Sequence, residues 1–349
     1  MGVLTQPNQD DLPLPPHFDP VKVDQIWRVP YEEIAAAAEA WASRHHIAPA
    51  YTQEARIHLL LIDVQNTFCI PGYELFVRGR TGRGAVEDNE RLCRFIYRNL
   101  ARITGITATL DTHHATQIFH AIFLVNAKGQ HPPPFSIISE DEIHRGDWNF
   151  NPALAASLGV SEADGDTLLA HYADQLKKTG KFELTVWPYH AMLGGIGHAL
   201  VPSIEEALFF FTIARAAQPW MMIKGQSSFT EHYSAVGPEI KLGPSGEILG
   251  KKNDELIRLL EDSDALIIAG QAKSHCVSWT VSDLLDEIRI RDPAMAGKIY
   301  LLEDCTSPVV VPDAADFSEA AEEAYQNFKA AGMHLVQSST PMRDWPGPD

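Results

Sequence analysis

Six short apolar runs, each of strand length and each closed by polar or small residues, constrain this chain more than any other feature. They are IHLLLIDV (57–64), GITATLDTH (105–113), PWMMIKG (219–225), ALIIAG (265–270), KIYLLEDC (298–305) and a weaker HLVQSS (334–339). Near-continuous apolar runs suit strands buried on both faces. Between them lie helical patterns: NERLCRFIYRNLARI (89–103), EEALFFFTIARAA (205–217), NDELIRLLED (253–262), HCVSWTVSDLLDEIRI (275–290) and SEAAEEAYQNFKAA (318–331). Strand–helix alternation implies right-handed βαβ units and a parallel sheet covered by helices. The expectation is an α/β, Rossmann-like three-layer sandwich with a mostly parallel six-stranded sheet, in the order 3-2-1-4-5-6.

The rest of the chain divides around that pattern. Residues 1–55 read as an N-terminal arm and helix. The first 30 are rich in Pro and acidic groups and suit an extended arm, while YEEIAAAAEAWASRHH (31–46) has Ala-rich helical propensity with Glu in its first turn. The main domain runs over 56–340. A βαβ connection needs far fewer residues than separate the second and third runs, so about 121–186 read as an insertion. Insertions of that length serve as lids or interface arms, or stand as solvated decoration.

Composition narrows the function classes. The chain has 349 residues, 45% hydrophobic and 21% charged, which is globular. No apolar run approaches the roughly 18–20 residues of a membrane span. The N-terminus lacks a basic region followed by an apolar one, so the expected compartment is the cytoplasm. A formal net charge of −18 opposes a nucleic-acid surface, which needs clustered Lys and Arg. None of the four cysteines forms a CxxC pair, and they read as free thiols in a reducing compartment.

Open parallel sheets bind ligands beyond the carboxyl ends of their strands. The polar residues there are Asp63 and Gln65, Asp111 and His113, Lys224, Gly270 to Cys276, then Glu303 and Asp304. Cys276 opens a helical pattern, where free N–H groups and the helix dipole stabilise a thiolate and can hold an oxyanion. Its bland reading is an inert buried Cys. Asp63 is otherwise a cap, and Lys224 a solvated strand end. Together, a carboxylate can take a thiol proton while a neighbouring ammonium holds the charge.

DTHHATQIFH (111–120) sets Asp111 and His113 on alternate positions, and WPYH (187–190) adds His190. One carboxylate and two imidazoles suit one divalent ion: zinc foremost, or manganese or iron. With 15 histidines in the chain, spacing alone does not separate this set from coincidence.

LLLIDVQNTFC (59–69), Lys-Gly at 224–225 and GQAKSHCV (270–277) resemble the signatures of the nicotinamidase/isochorismatase cysteine hydrolases. The resemblance spans roughly 56–125 and 184–310, and is nearest the metal-containing nicotinamidase branch. It implies the isochorismatase-like hydrolase fold and a catalytic triad of Asp63, Lys224 and Cys276. It further implies a cis peptide before Ala272, an oxyanion hole from the N–H groups of Ala272 and Cys276, and a substrate ring between Phe68 and Trp187. Asp111, His113 and His190 become metal ligands, with His120 as a variable fourth. The implied partner is a small-molecule amide, nicotinamide first, and the implied assembly a homo-oligomer. Departures are Lys273-Ser274 where the family has Thr-Asp, Ala191 where a Cys often follows WPxH, and the insertion. They leave two alternatives open: hydrolysis of another amide or carbamoyl group, or a non-catalytic binding or assembly member of the same fold.

Overall fold

All six apolar runs form strands, and the strands form one sheet. In this computed structural model, which describes residues 11–311 and 315–347, they are β1 (Ile57–Ile62), β2 (Gly105–Asp111), β3 (Trp220–Lys224), β4 (Ala265–Gly270), β5 (Ile299–Leu302) and β6 (His334–Val336). Every pairing is parallel, and the order across the sheet is β6-β5-β4-β1-β2-β3. This is the expected order, with the chain reversing direction across the sheet between β1 and β4.

Side-chain alternation along the strands divides the core in two. Leu59 and Leu61 pack with helices α1 (Tyr31–Arg44), α2 (Gly84–Arg98) and α4 (Pro202–Arg215). Leu60 and Ile62 pack on the other face with α5 (Asp254–Asp262), α6 (Ser278–Arg291) and α7 (Ser318–Ala330). These are the outer layers of the sandwich.

Three local expectations need correction. The helix read at 89–103 spans 84–98: Asn99 ends it, its side-chain amide donating to Phe95 O. Leu100, Ala101 and Ile103 stay buried beyond that point, which prolongs the helical pattern after the helix has stopped. β3 is an edge strand, so Trp220, Met221 and Ile223 are exposed rather than buried on both faces. The described part of the arm, 11–30, is laid on the core. Val23 and Val29 are buried, and Leu12, Leu14, Phe18 and Trp27 pack against the first cluster.

Residues 121–186 have their own apolar cluster, in which α3 (Glu162–Thr179) buries Leu168, Leu169, Tyr172 and Leu176 against Phe123, Phe150 and Leu184. Two short antiparallel ribbons, 124–125 with 149–150 and 137–138 with 184–185, hold it together. Gly165 lets α3 approach closely, since a Cβ there would lie 2.2 Å from the Phe150 ring. Among the described residues no helix is long and apolar enough to cross a membrane.

Candidate active site

The carboxyl ends of β1 to β4 converge beside a cavity of about 410 Å³, which Asp111 after β2 and Gln271, Ala272 and Cys276 after β4 line directly. Register explains why. Leu61 pairs with Ala108 on one side, Ile62 with Gly270 on the other, and Asp111 with Lys224 beyond, so the residues following each strand emerge together. Gln65 fixes this edge, because its amide donates to Asp111 O at 2.8 Å and accepts from Asp111 N at 2.8 Å.

Asp63 follows β1 in a left-handed conformation, φ 47°, and is fully buried. Thr109 Oγ1 donates to Asp63 Oδ1 at 2.5 Å. Lys224 Nζ lies 3.0 Å from Asp63 Oδ2 and 3.7 Å from Cys276 Sγ, and also donates to Asp111 Oδ1 and His232 O, each at 2.9 Å. The three residues singled out as a triad are therefore in one cluster. Burial raises the Asp63 carboxyl above its ordinary range, against the opposing pull of Lys224. For Lys224 burial acts downward, but Asp111 and Asp63 overcome it and hold the ammonium charged.

Cys276 corrects a sequence expectation. It sits within a wide helical turn, Lys273–Val277, that precedes α6 rather than at the first free N–H groups of an α-helix. Burial drives its thiol up, against the opposing pull of Lys224. Cys69, Cys93 and Cys305 are buried free thiols, also pushed up by burial.

The segment before Cys276 is shaped by Gly270, at φ 115°, where a Cβ would lie 2.0 Å from Ile62 O. The Gln271–Ala272 peptide is cis. Gln271 is tied to Asp88 Oδ2 at 2.9 Å. Ala272 and Cys276 both line the cavity, at the start and within the turn that follows the cis peptide.

Asp111, His113 and His190 are buried, and one ligand atom from each lies within 4.8 Å of the others. The fit to a metal ion can be tested on the tautomers. His113 Nδ1 faces Gly225 O at 3.2 Å and His190 Nδ1 faces Pro188 O at 2.8 Å. Carbonyls only accept, so each Nδ1 carries a proton; His113 Nε2 also donates to the Asp111 carboxylate, which outweighs burial and raises its pKa, and a cation displacing that proton would leave both Nε2 atoms as ligands. These Nε2 atoms lie 2.8 and 3.8 Å from Asp111 Oδ2. His120 follows the same rule, with Nδ1 on His114 O and Ala115 O and a buried Nε2 lacking any hydrogen-bond partner. Burial lowers its pKa to about 3, which keeps it neutral. It is not one of the three that converge, and its ring centroid stands 5.9 Å from those of His113 and His190. The donor set fits a divalent cation.

Phe68 and Trp187 both line the cavity. Trp187 Nε1 donates to Tyr233 OH at 2.9 Å, and Phe68 lies edge-on to His190 at 5.7 Å. Glu303 and Asp304, placed at the crevice by sequence, do not line it. Asp304 instead accepts from Ser338 N and Oγ, at 2.8 and 2.6 Å. Glu231 was missed. It lines the cavity, is buried, and has its pKa raised by burial to about 7. Its one sequence signal is position, seven residues beyond Lys224 in a loop that returns to the site.

Solved nicotinamidase and pyrazinamidase structures are similar to this chain. An Acinetobacter baumanii nicotinamidase/pyrazinamidase is 19% identical, with 82% of this chain and 98% of that one covered and a TM-score of 0.47. The yeast nicotinamidase is 18% identical over 80% of this chain and 98% of its own, with a TM-score of 0.48. A Pyrococcus horikoshii pyrazinamidase solved with zinc is 17% identical over 81% and 99%, with a TM-score of 0.42. No family model and no curated protein sequence matches the chain.

Proposed function

We propose that the chain is a cysteine-dependent amidohydrolase that cleaves a small carboxamide through a thioester, with nicotinamide to nicotinate and ammonia as the leading reaction. The observation that carries this reading is the buried cluster of Asp63, Lys224 and Cys276, of which Cys276 lines the cavity. The nicotinamidase resemblance of the sequence motifs points the same way.

Asp63 takes the Cys276 proton as the sulfur attacks the amide carbonyl carbon, and Lys224 holds the charge of the cluster. The oxyanion accepts from the backbone N–H groups of Ala272 and Cys276, both of which line the cavity. As the C–N bond breaks, protonated Asp63 gives its proton to the leaving nitrogen, and ammonia departs from a thioester. Asp63 then deprotonates a water that attacks the thioester. Collapse releases the carboxylic acid, and Cys276 regains its proton. Phe68 and Trp187 orient the substrate ring at the floor. Asp111, His113 and His190 would hold a divalent ion, zinc foremost, which when bound supplies a Lewis acid for a ring nitrogen or a water.

Ammonia release from nicotinamide by metal-replete protein tests this, with Cys276→Ala as control. The expected loss in the variant is on the order of 10⁴-fold or more, with fold and metal content retained. Equal release by both proteins would refute Cys276 as nucleophile.

A further inference from the structure

We infer that, besides nicotinamide, the site takes amides carrying a bulky, uncharged apolar tail that fills an outer chamber above the catalytic floor; this rests on the amidohydrolase reading. The cavity has two parts. Cys276, Ala272, Asp111 and His190 at the floor are all buried. The lining residues toward solvent are partly exposed and mostly apolar: Leu75, Phe76, Phe135, Val309 and Val310. A single-ring carboxamide with its carbonyl at Cys276 covers the floor and leaves this upper wall wet. The volume, about 410 Å³, falls within the roughly 300–1,000 Å³ typical of pockets for larger ligands.

Three separate segments supply that wall, which marks it as built rather than incidental. Residues 72–78 follow the short helix Asn66–Cys69, and Val310 lies in a small ribbon paired with Asp316. Phe135 comes from the insertion. It holds a left-handed backbone, φ 67°, that a phenylalanine rarely adopts. Its N–H donates to Val186 O at 2.6 Å, and its ring stands edge-on to Trp187 at 6.1 Å. The insertion thus reaches the catalytic pocket through one aromatic side chain. Charge at the rim is balanced between exposed Glu74 and Arg78, so the wall selects for apolar surface rather than for a charged end.

The test is a series of ω-phenylalkanamides of increasing length beside nicotinamide, read as kcat/KM from ammonia release. The expected rise is about fourfold per methylene until the chamber is full. Val310→Asp and Phe135→Ala should each lower the ratio of long-amide to nicotinamide kcat/KM. A series that stays flat or falls with length, while nicotinamide is turned over, overturns the inference and leaves the amidohydrolase reading standing. Calorimetric binding of the series to Cys276→Ala separates the opposite failure. Affinity that climbs with tail length without turnover in the parent protein keeps the chamber and refutes the reaction. Affinity independent of length refutes the chamber.

Discussion

Lys224 Nζ donates to Asp111 Oδ1 at 2.9 Å, so the ammonium beside Cys276 and the carboxylate of the candidate metal-binding set are one hydrogen-bonded pair. The two were adjacent in register before any side chain was considered, because Asp111 and Lys224 are Cα partners across β2 and β3. On the proposed function, nucleophile chemistry and cation binding are coupled through this buried charge.

Removing that charge should damage the fold as well as the reaction. Lys224→Met leaves Asp63 and Asp111 buried without their shared cation. Breaking a buried pair from one side costs about 3–5 kcal/mol. The urea midpoint should fall accordingly, and hydrolysis should be lost. A wild-type midpoint would mean that the ammonium does not neutralise these carboxylates.

Gly225 is the packing constraint on the metal set. It has φ 83°, and a Cβ would meet Asp111 Oδ1 at 2.7 Å and His113 Cε1 at 2.9 Å. Gly225→Ala should displace both side chains and weaken zinc binding by roughly 10–100-fold, the usual effect of disturbing a ligand's support. Competition with a chromophoric chelator reads this directly. Unchanged affinity would place the ion elsewhere.

Gly270→Ala tests the approach of β4 to β1. The added methyl would lie 2.0 Å from Ile62 O in backbone, with no flexible side chain to yield, and φ 115° excludes an L residue without strain. A loss above about 3 kcal/mol, or failure to fold, is expected. A soluble variant with near-native stability would show that this strand end can rearrange.

What the sequence made legible follows from which forces are local. The six strands were readable because runs such as LLLI and LIIA are apolar at every position, as burial between two helical layers requires. Asp63, Lys224 and Cys276 were readable because they sit just beyond strand ends, where chain order dictates the meeting place. Glu231 and Phe135 were not, since each reaches the cavity from a loop whose path depends on the packing of 121–186 and 225–253. The environment of the Cys276 thiol was not legible either, since helix position favours a thiolate while burial, a tertiary property, pushes the thiol up.

The clamp between the arm and α4 should make stability depend on pH. Glu206 is buried on α4, with Tyr97 OH donating to Oε1 at 3.4 Å, His17 Nε2 at 3.9 Å and Lys22 adding a weak favourable field. Burial raises its pKa to about 7, against about 4.3 in the unfolded chain. Between those values the folded state binds more protons than the unfolded one, so this stabilising contribution is complete below about pH 4.3 and lost as pH rises through 7. His17 acts in the opposite sense, because burial lowers its pKa and favours its neutral form. Because His17 Nε2 lies only 3.9 Å from the carboxyl, the comparison is made in a His17→Gln background, where the difference isolates Glu206. Glu206→Gln keeps an acceptor for Tyr97 and removes the charge. Urea midpoints should show the variant gaining on the order of 1–3 kcal/mol relative to the parent between pH 5 and pH 8. Parallel curves across that range would mean that Glu206 ionises in the folded protein as it does in water.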